Sequence, residues 1–240
     1  MAPRWAVGLA ASLLAGGCAA APPPPAEEPA PSEGAKRRPD SDGPEVKQAV
    51  GAMNEEAVTR VFGRLLPKIE KCQDDRRRDE SRLDFLSGEV KIEVRVDESG
   101  AAKRVFLTRS TLGDRDVEKC ITQAAQGQSW PKPVGGLEGV ARSEFNLPMK
   151  GDRDAVAWEP KKVADAVSRA RSALRQCGPG KGAGVEVTAY VGEGGKVIAA
   201  GASTPAEGSA QVADCLAGAA RAMRMPSPGG WPAKVTFTVE

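Results

Sequence analysis

Apolar residues along this chain follow two kinds of spacing, and the two kinds alternate in the same order twice. From residue 54 onward, Val58, Val61, Phe62, Leu65, Leu66, Ile69 and Cys72 recur every three or four positions. That spacing predicts one buried helix face. Asn54 suits the cap and Glu55 and Glu56 suit the first turn, while Pro67 is expected to kink or shorten the helix. The mixed charges of residues 74–82 read as a solvated loop. Val90, Ile92, Val94 and Val96 then alternate with charged residues, the pattern of a strand with one buried face. Turn residues Asp97 to Gly100 lead into a returning strand over residues 101–108. Asp114 or Asp116 starts a second helix, with Val117, Cys120, Ile121 and Ala124 on one face. After Trp130-Pro131-Lys132-Pro133 comes a last strand, with Phe145, Leu147 and Met149 inward.

The α-β-β-α-β order then repeats with smaller residues. Val163, Ala166, Val167, Ala170, Leu174 and Cys177 mark a helix, and Val185, Val187, Ala189 and Val191 a strand. Residues 192–195 turn, residues 196–202 return, Val212, Cys215, Leu216, Ala219 and Met223 mark a helix, and Val235, Phe237 and Val239 a final strand. In both copies a cysteine is followed ten residues later by a bulky apolar residue and proline, at Trp130-Pro131 and Met225-Pro226. The expected fold is α+β: two tandem αββαβ units, each with two helices on a three-stranded antiparallel sheet. They occupy residues 52–150 and 162–240, joined by a linker at 151–161. The simplest sheet order puts the first strand in the centre and the other two at the edges. Charge is dense throughout the first unit and sparse in the second, where alanine and glycine dominate.

Ahead of the units, Arg4 precedes an apolar run over residues 5–15 that is too short to span a bilayer and reads as a signal-peptide core. The run LLAGGC, ending at Cys18, resembles a bacterial lipoprotein cleavage box, although Ala15 stands where leucine is usual. An ordinary signal peptide with a chance cysteine is the alternative. The resemblance implies a signal over residues 1–18, acyl chains on Cys18 as the membrane partner, and, with Ala19 next, sorting to the periplasmic face of the outer membrane. Residues 19–51 are rich in proline, alanine and charge without apolar periodicity and read as a disordered tether. Its extended reach is on the order of 70 Å at about 3.1 Å per residue.

Composition removes several functions. There are 34 basic and 32 acidic residues among 240, a net charge of +2, so strong steering toward nucleic acid is not expected. The chain has no histidine, which excludes histidine-based nucleophile activation, acid–base catalysis and metal ligation. Aromatic residues make up 4%, which favours two small domains over one large core.

Ser110-Thr111-Leu112, the helix Asp116-Val117-Glu118-Lys119-Cys120, Trp130 to Pro133, Gly135-Gly136 and a strand with Phe145 and Leu147 together resemble the AgmX/PglI C-terminal domain. That family is found in envelope proteins of gliding Gram-negative bacteria and is similar in fold to the TonB and TolA C-terminal domains. The likeness covers most of the first unit, with Gln73 where a tyrosine usually follows the first cysteine. The second unit lacks the leucine after Ser203-Thr204 and has Met225-Pro226-Ser227-Pro228 in place of the aromatic version. The resemblance implies an envelope or gliding-motility module that binds another protein, carries out no catalysis and needs no cofactor.

Four cysteines remain besides Cys18, one at the end of the first helix and one in the second helix of each unit. We read them as intradomain disulfides, Cys72 with Cys120 and Cys177 with Cys215, which an exported compartment permits; free buried thiols are the alternative. Zinc is disfavoured because there is no C-x-x-C pair and no histidine. Residues 178–182 follow a helix and precede a strand, the reverse of a phosphate loop. Asp114, Asp116 and Glu118 are expected to complement a helix dipole, and Trp130 and Trp231 to lid their cores, with exposed binding aromatics as the alternative. A partner site is expected on the last strand, over residues 234–239; an edge covered by the first unit, or left unused, is the alternative. This strand lacks the proline that Pro148 supplies to the first unit, and Lys234, Thr236 and Thr238 face outward beside an open edge. The two functions carried forward are a protein-binding envelope lipoprotein, with no small-molecule substrate or nucleic acid, and a peptidoglycan-binding or spacer lipoprotein.

Overall fold

A three-residue strand, β1 (Gln48–Val50), precedes the first helix, where sequence alone places the end of the tether. The computed structural model describes residues 48–79, 83–178, 184–204 and 210–239; Cys18 and the tether up to residue 47 lie outside them. Helix α1 (Glu55–Asp79) continues unbroken through Pro67. Val58, Val61, Phe62, Leu65, Ile69 and Cys72 are buried along one side. Pro67 and Gly63, whose carbonyl loses its donor, both lie on the exposed side. Water can therefore satisfy that carbonyl, and burial of the opposite face offsets the proline. Leu66, expected inward, is 37% exposed.

The helix also absorbs most of the charge run read as a loop. Arg77 pairs with Asp74 at 3.5 Å and Arg78 with Asp75 at 3.2 Å, each within one turn. Arg76 reaches Asp114 at 3.1 Å, at the start of the second helix. Gln73 is fully buried and donates to the carbonyls of Leu86 (2.7 Å) and Pro148 (3.0 Å). It thereby pins the entry to one strand and the exit of another to the helix.

Strands β2 (Gly88–Asp97) and β3 (Ala102–Ser110), helix α2 (Arg115–Gln126) and strand β4 (Gly136–Leu147) complete the first repeat. The sheet order is β1-β4-β2-β3, with β2 central as expected. It has four strands rather than three, because β1 runs parallel to the start of β4. The second repeat has the same design: β5 (Val156–Trp158), a 3-10 turn at Pro160–Val163, α3 (Ala164–Gln176), β6 (Val185–Val191), β7 (Val197–Ser203), α4 (Ala210–Arg221) and β8 (Ala233–Val239). Its order is β5-β8-β6-β7, with β5 parallel to β8. Three-residue strands are too short to show a two-residue period, so sequence assigns them to the tether and the linker.

One core lies between α1, α2 and their sheet, and the other between α3, α4 and theirs. Trp130 closes the first. Its ring meets Phe62 edge-on at 4.9 Å and its N–H donates to the Ala125 carbonyl. The disulfides Cys72–Cys120 and Cys177–Cys215 join α1 to α2 and the end of α3 to α4, with Cα separations of 5.8 and 5.5 Å.

Each bridge closes a long loop, spanning 48 and 38 residues, and loop-closure entropy makes each worth about 4 kcal/mol. The second core leans on alanine, at positions 166, 189, 200, 202, 213 and 220, so it has less apolar area in reserve. Cys177→Ser with Cys215→Ser should therefore lower the thermal midpoint more than Cys72→Ser with Cys120→Ser, despite its shorter loop. Circular dichroism melts of the two double variants check this, and a larger loss from the first pair would contradict it.

Candidate functional site

The expected partner strand is only partly open. β5 pairs with β8 at Ala233, Lys234 and Val235, so Lys234 has β6 on one side and β5 on the other. Its side chain does not point to solvent either. The ammonium donates to the Ser87 carbonyl of the first repeat at 2.6 Å and sits 5.5 Å from the centroid of the Tyr190 ring. Burial pulls its pKa down to about 8, against the raising effect of Asp154. Lys234 is therefore a link between the repeats, and the open edge shrinks to residues 236–239. The Thr236 hydroxyl lies 2.8 Å from that of Thr188 on β6, and Thr238 is exposed. Beside this edge is a cavity of about 680 Å³, lined by Lys161, Val167, Ser168, Arg171, Thr236 and Thr238 among others.

Lys234 belongs to a larger feature, the joint between the repeats. The helices of the second repeat cover one face of its sheet, and the first repeat covers the other. Thr188 and Tyr190 on β6 and Ala199 and Gly201 on β7 face that way; Tyr190 and Ala199 are fully buried and belong to the first repeat's core. The Tyr190 hydroxyl donates to the Ser87 carbonyl at 3.1 Å and accepts from the Ser87 N–H at 3.2 Å. Gly113, at φ +73°, leaves room for Thr188, whose Cγ2 would lie 2.8 Å from a Cβ there.

Glu118 stands at the centre. It is fully buried on α2 and accepts from the Ser110 hydroxyl (2.7 Å) and from the Ala202 N–H on β7 (3.2 Å). Arg115 is 3.7 Å away and itself bonds Asp214 on α4 at 2.7 Å. Gly201 makes the approach possible, because a Cβ there would lie 2.7 Å from the Glu118 Cδ. Burial raises the Glu118 pKa to about 7, against the lowering effects of Ser110, Arg115 and the Ala202 N–H. Lys119 also reaches Asp214 (2.9 Å), and Arg221 on α4 reaches Asp116 (3.4 Å).

Of the three acidic residues expected to serve the helix dipole, Asp114 does so. It caps α2 by accepting from the Asp116 and Val117 N–H groups. Asp116 is exposed, while Glu118 is the joint. Ser203 is buried at the end of β7. Gly178 follows α3 at φ +66°; the rest of that glycine-rich run lies outside the described residues. Trp231 departs from the lid role expected of it within its own repeat: it packs against the first repeat's core and its N–H donates to the Asp154 carbonyl at 2.8 Å. It lines a cleft of about 700 Å³ between the repeats, with Phe85, Ile198, Glu193, Lys196 and Asp84. Arg153 stacks on its ring at 5.0 Å.

No protein-family model matches the chain, and no curated protein or solved structure matches it at a significant level. The ionisable groups at the joint are enclosed and tied to one another, whereas strand edges and the aromatic cleft are open to a partner.

Sequence reasoning missed Glu118, Gly201, Tyr190 and Ser87. A signal was present: β7 carries no charge at all, and β6 has Thr188 and Tyr190 where a solvated face would be charged. Such strands are buried on both faces.

The raised Glu118 pKa has a definite sign. The folded state holds this proton more tightly than the unfolded chain does. The group's contribution is therefore fully present below its ordinary value of 4.5 and is lost as pH rises to about 7. Over that window the wild type should lose about 3 kcal/mol that Glu118→Gln does not. Urea midpoints of the two proteins, measured between about pH 5 and about pH 7.5, test this linkage. Parallel pH dependences would show that Glu118 titrates normally.

Proposed function

We propose that this chain is a lipoprotein held at the periplasmic face of the outer membrane by acyl chains on Cys18, and that its two repeats form a non-catalytic protein-binding module of an envelope or motility complex. The LLAGGC run and the proline-rich segment behind it support the anchor. The likeness of the first unit to the AgmX/PglI C-terminal domain supports the envelope setting. The observation that carries the binding role is the β8 edge over residues 236–239, which no strand covers among the described residues. An extended segment of a partner could pair with it. Lys161 and Arg171 in the adjoining cavity favour an acidic segment.

The cleft beside Trp231 favours a second reading, a glycan-binding spacer. Its half-buried indole offers apolar surface for a sugar ring, with Asp84, Glu193 and Lys196 at hand for hydroxyl and amide groups. Binding of the purified protein to sacculi, and its loss in Trp231→Ala, would select that reading.

Two experiments test the first reading. Cys18→Ala should abolish acyl labelling and move the protein from the membrane fraction to the soluble one; unchanged retention would remove the anchor. Thr236→Pro with Thr238→Pro, checked for folding by circular dichroism, should reduce recovery of a pulled-down partner by at least about tenfold, since proline cannot donate to a new ladder. Equal recovery by the folded variant would exclude strand addition at β8.

A further inference from the structure

The first repeat has a long open strand edge along β4. β4 pairs with β2 along its length, from Asp97 opposite Glu138 to Gly88 opposite Leu147. On its other side β1 reaches only Glu138, whose carbonyl accepts from the Gly51 N–H at 2.7 Å. Pro148 follows the strand immediately. Residues 139–147 therefore have no strand on that side among the described residues. The Glu138 carbonyl shows the phase of this edge. By the two-residue period, Val140, Arg142, Glu144 and Asn146 also turn their N–H and C=O groups outward.

We propose that a second copy of this chain occupies this edge, its β4 antiparallel to the first about a twofold axis through Ser143. Two separate observations select that axis. Ser143 is the midpoint of the open window, which β1 closes at one end and Pro148 at the other. It is also the register that sets Arg142 opposite Glu144 of the second copy, and Glu144 opposite its Arg142. Val140 then faces Asn146, and all four are residues whose backbone groups point outward. Moving the axis one residue either way sets Arg142 against Arg142 or Glu144 against Glu144, and like charges directly opposite each other are unfavourable.

Charges already present on the sheet extend the match. Arg142 pairs with Glu93 at 2.6 Å and Lys91 with Glu144 at 3.0 Å on the exposed face. Across the dimer one row would read Lys91, Glu144, then Arg142 and Glu93 of the second copy, with the sign alternating at each step. Charged residues on an edge ordinarily repel incoming strands. These are self-complementary in one register, so they select that register and disfavour its neighbours. A strand edge alone buries less surface than a standard interface, which makes the dimer a weak one.

The test uses the full-length chain with Cys18→Ala, so that neither an anchor nor a spare thiol contributes, in sedimentation equilibrium from about 1 to about 100 μM. This background should dimerise within that range. Adding Arg142→Glu alone, or Glu144→Arg alone, should weaken self-association at least tenfold, because each places like charges on both sides of the axis. Mixing the two variants should restore association, since the acidic edge of one then meets the basic edge of the other. That rescue also excludes misfolding as the cause of the loss. The proposal is overturned if the background protein stays monomeric, if either variant dimerises as strongly as the background, or if the mixture fails to associate.

Discussion

An αββαβ unit has helices for only one face of its sheet, and the fate of the other face shapes the rest of this molecule. In the first repeat that face is open and carries cross-strand ion pairs such as Arg142 with Glu93 and Lys91 with Glu144. In the second repeat it is covered by the first. The cover requires α2 to serve two surfaces, its own sheet through Val117, Ile121 and Ala125, and the neighbouring sheet through Glu118. A carboxylate there has little access to water. It stands because Ser110, the Ala202 N–H and Arg115 meet it, and because Gly201 has no side chain to keep it out.

This arrangement accounts for the weak appearance of the second repeat. Its small residues are not merely a poor core. Ala199 and Gly201 are small because another domain approaches there, and β7 lacks charge because neither of its faces is solvated. The compensation for a core built on alanine is the bridge between Cys177 and Cys215, together with the cover supplied by the first repeat. Asp114 ties these layers together: it caps α2 and holds Arg76 at the end of α1, beside the helix that carries the joint.

The joint also limits which surfaces are open. Lys234, expected to face outward, and Trp231, expected to lid its own repeat, both turn to the first repeat. Among the surfaces that stay open are the end of β8, the cleft beside Trp231 and the long edge of β4. The short strands β1 and β5 shorten two of those edges from one end, at Glu138 and Val235. They restrict where a partner strand could pair without closing either sheet.

Sequence alone determined the αββαβ order, its repetition, the central place of β2 and β6, and the helix faces, because three-to-four and two-residue spacings are local properties of the chain. It also put each cysteine pair at equivalent places in the two repeats. It went astray where a local rule met a distant partner. Pro67 was expected to kink or shorten α1, but the buried face opposite carries the helix on to Asp79. The charges of residues 74–79 suggested a loop, but their partners, Asp114 among them, hold a helix. Residues 234–239 suggested one free edge, but a strand from the linker covers its start, at Lys234 and Val235. Glu118 looked like one more acid in a first helical turn. Only the tertiary structure made it the centre of the joint, because burial of a side chain depends on what packs over it, and here that is a strand more than eighty residues further along the chain.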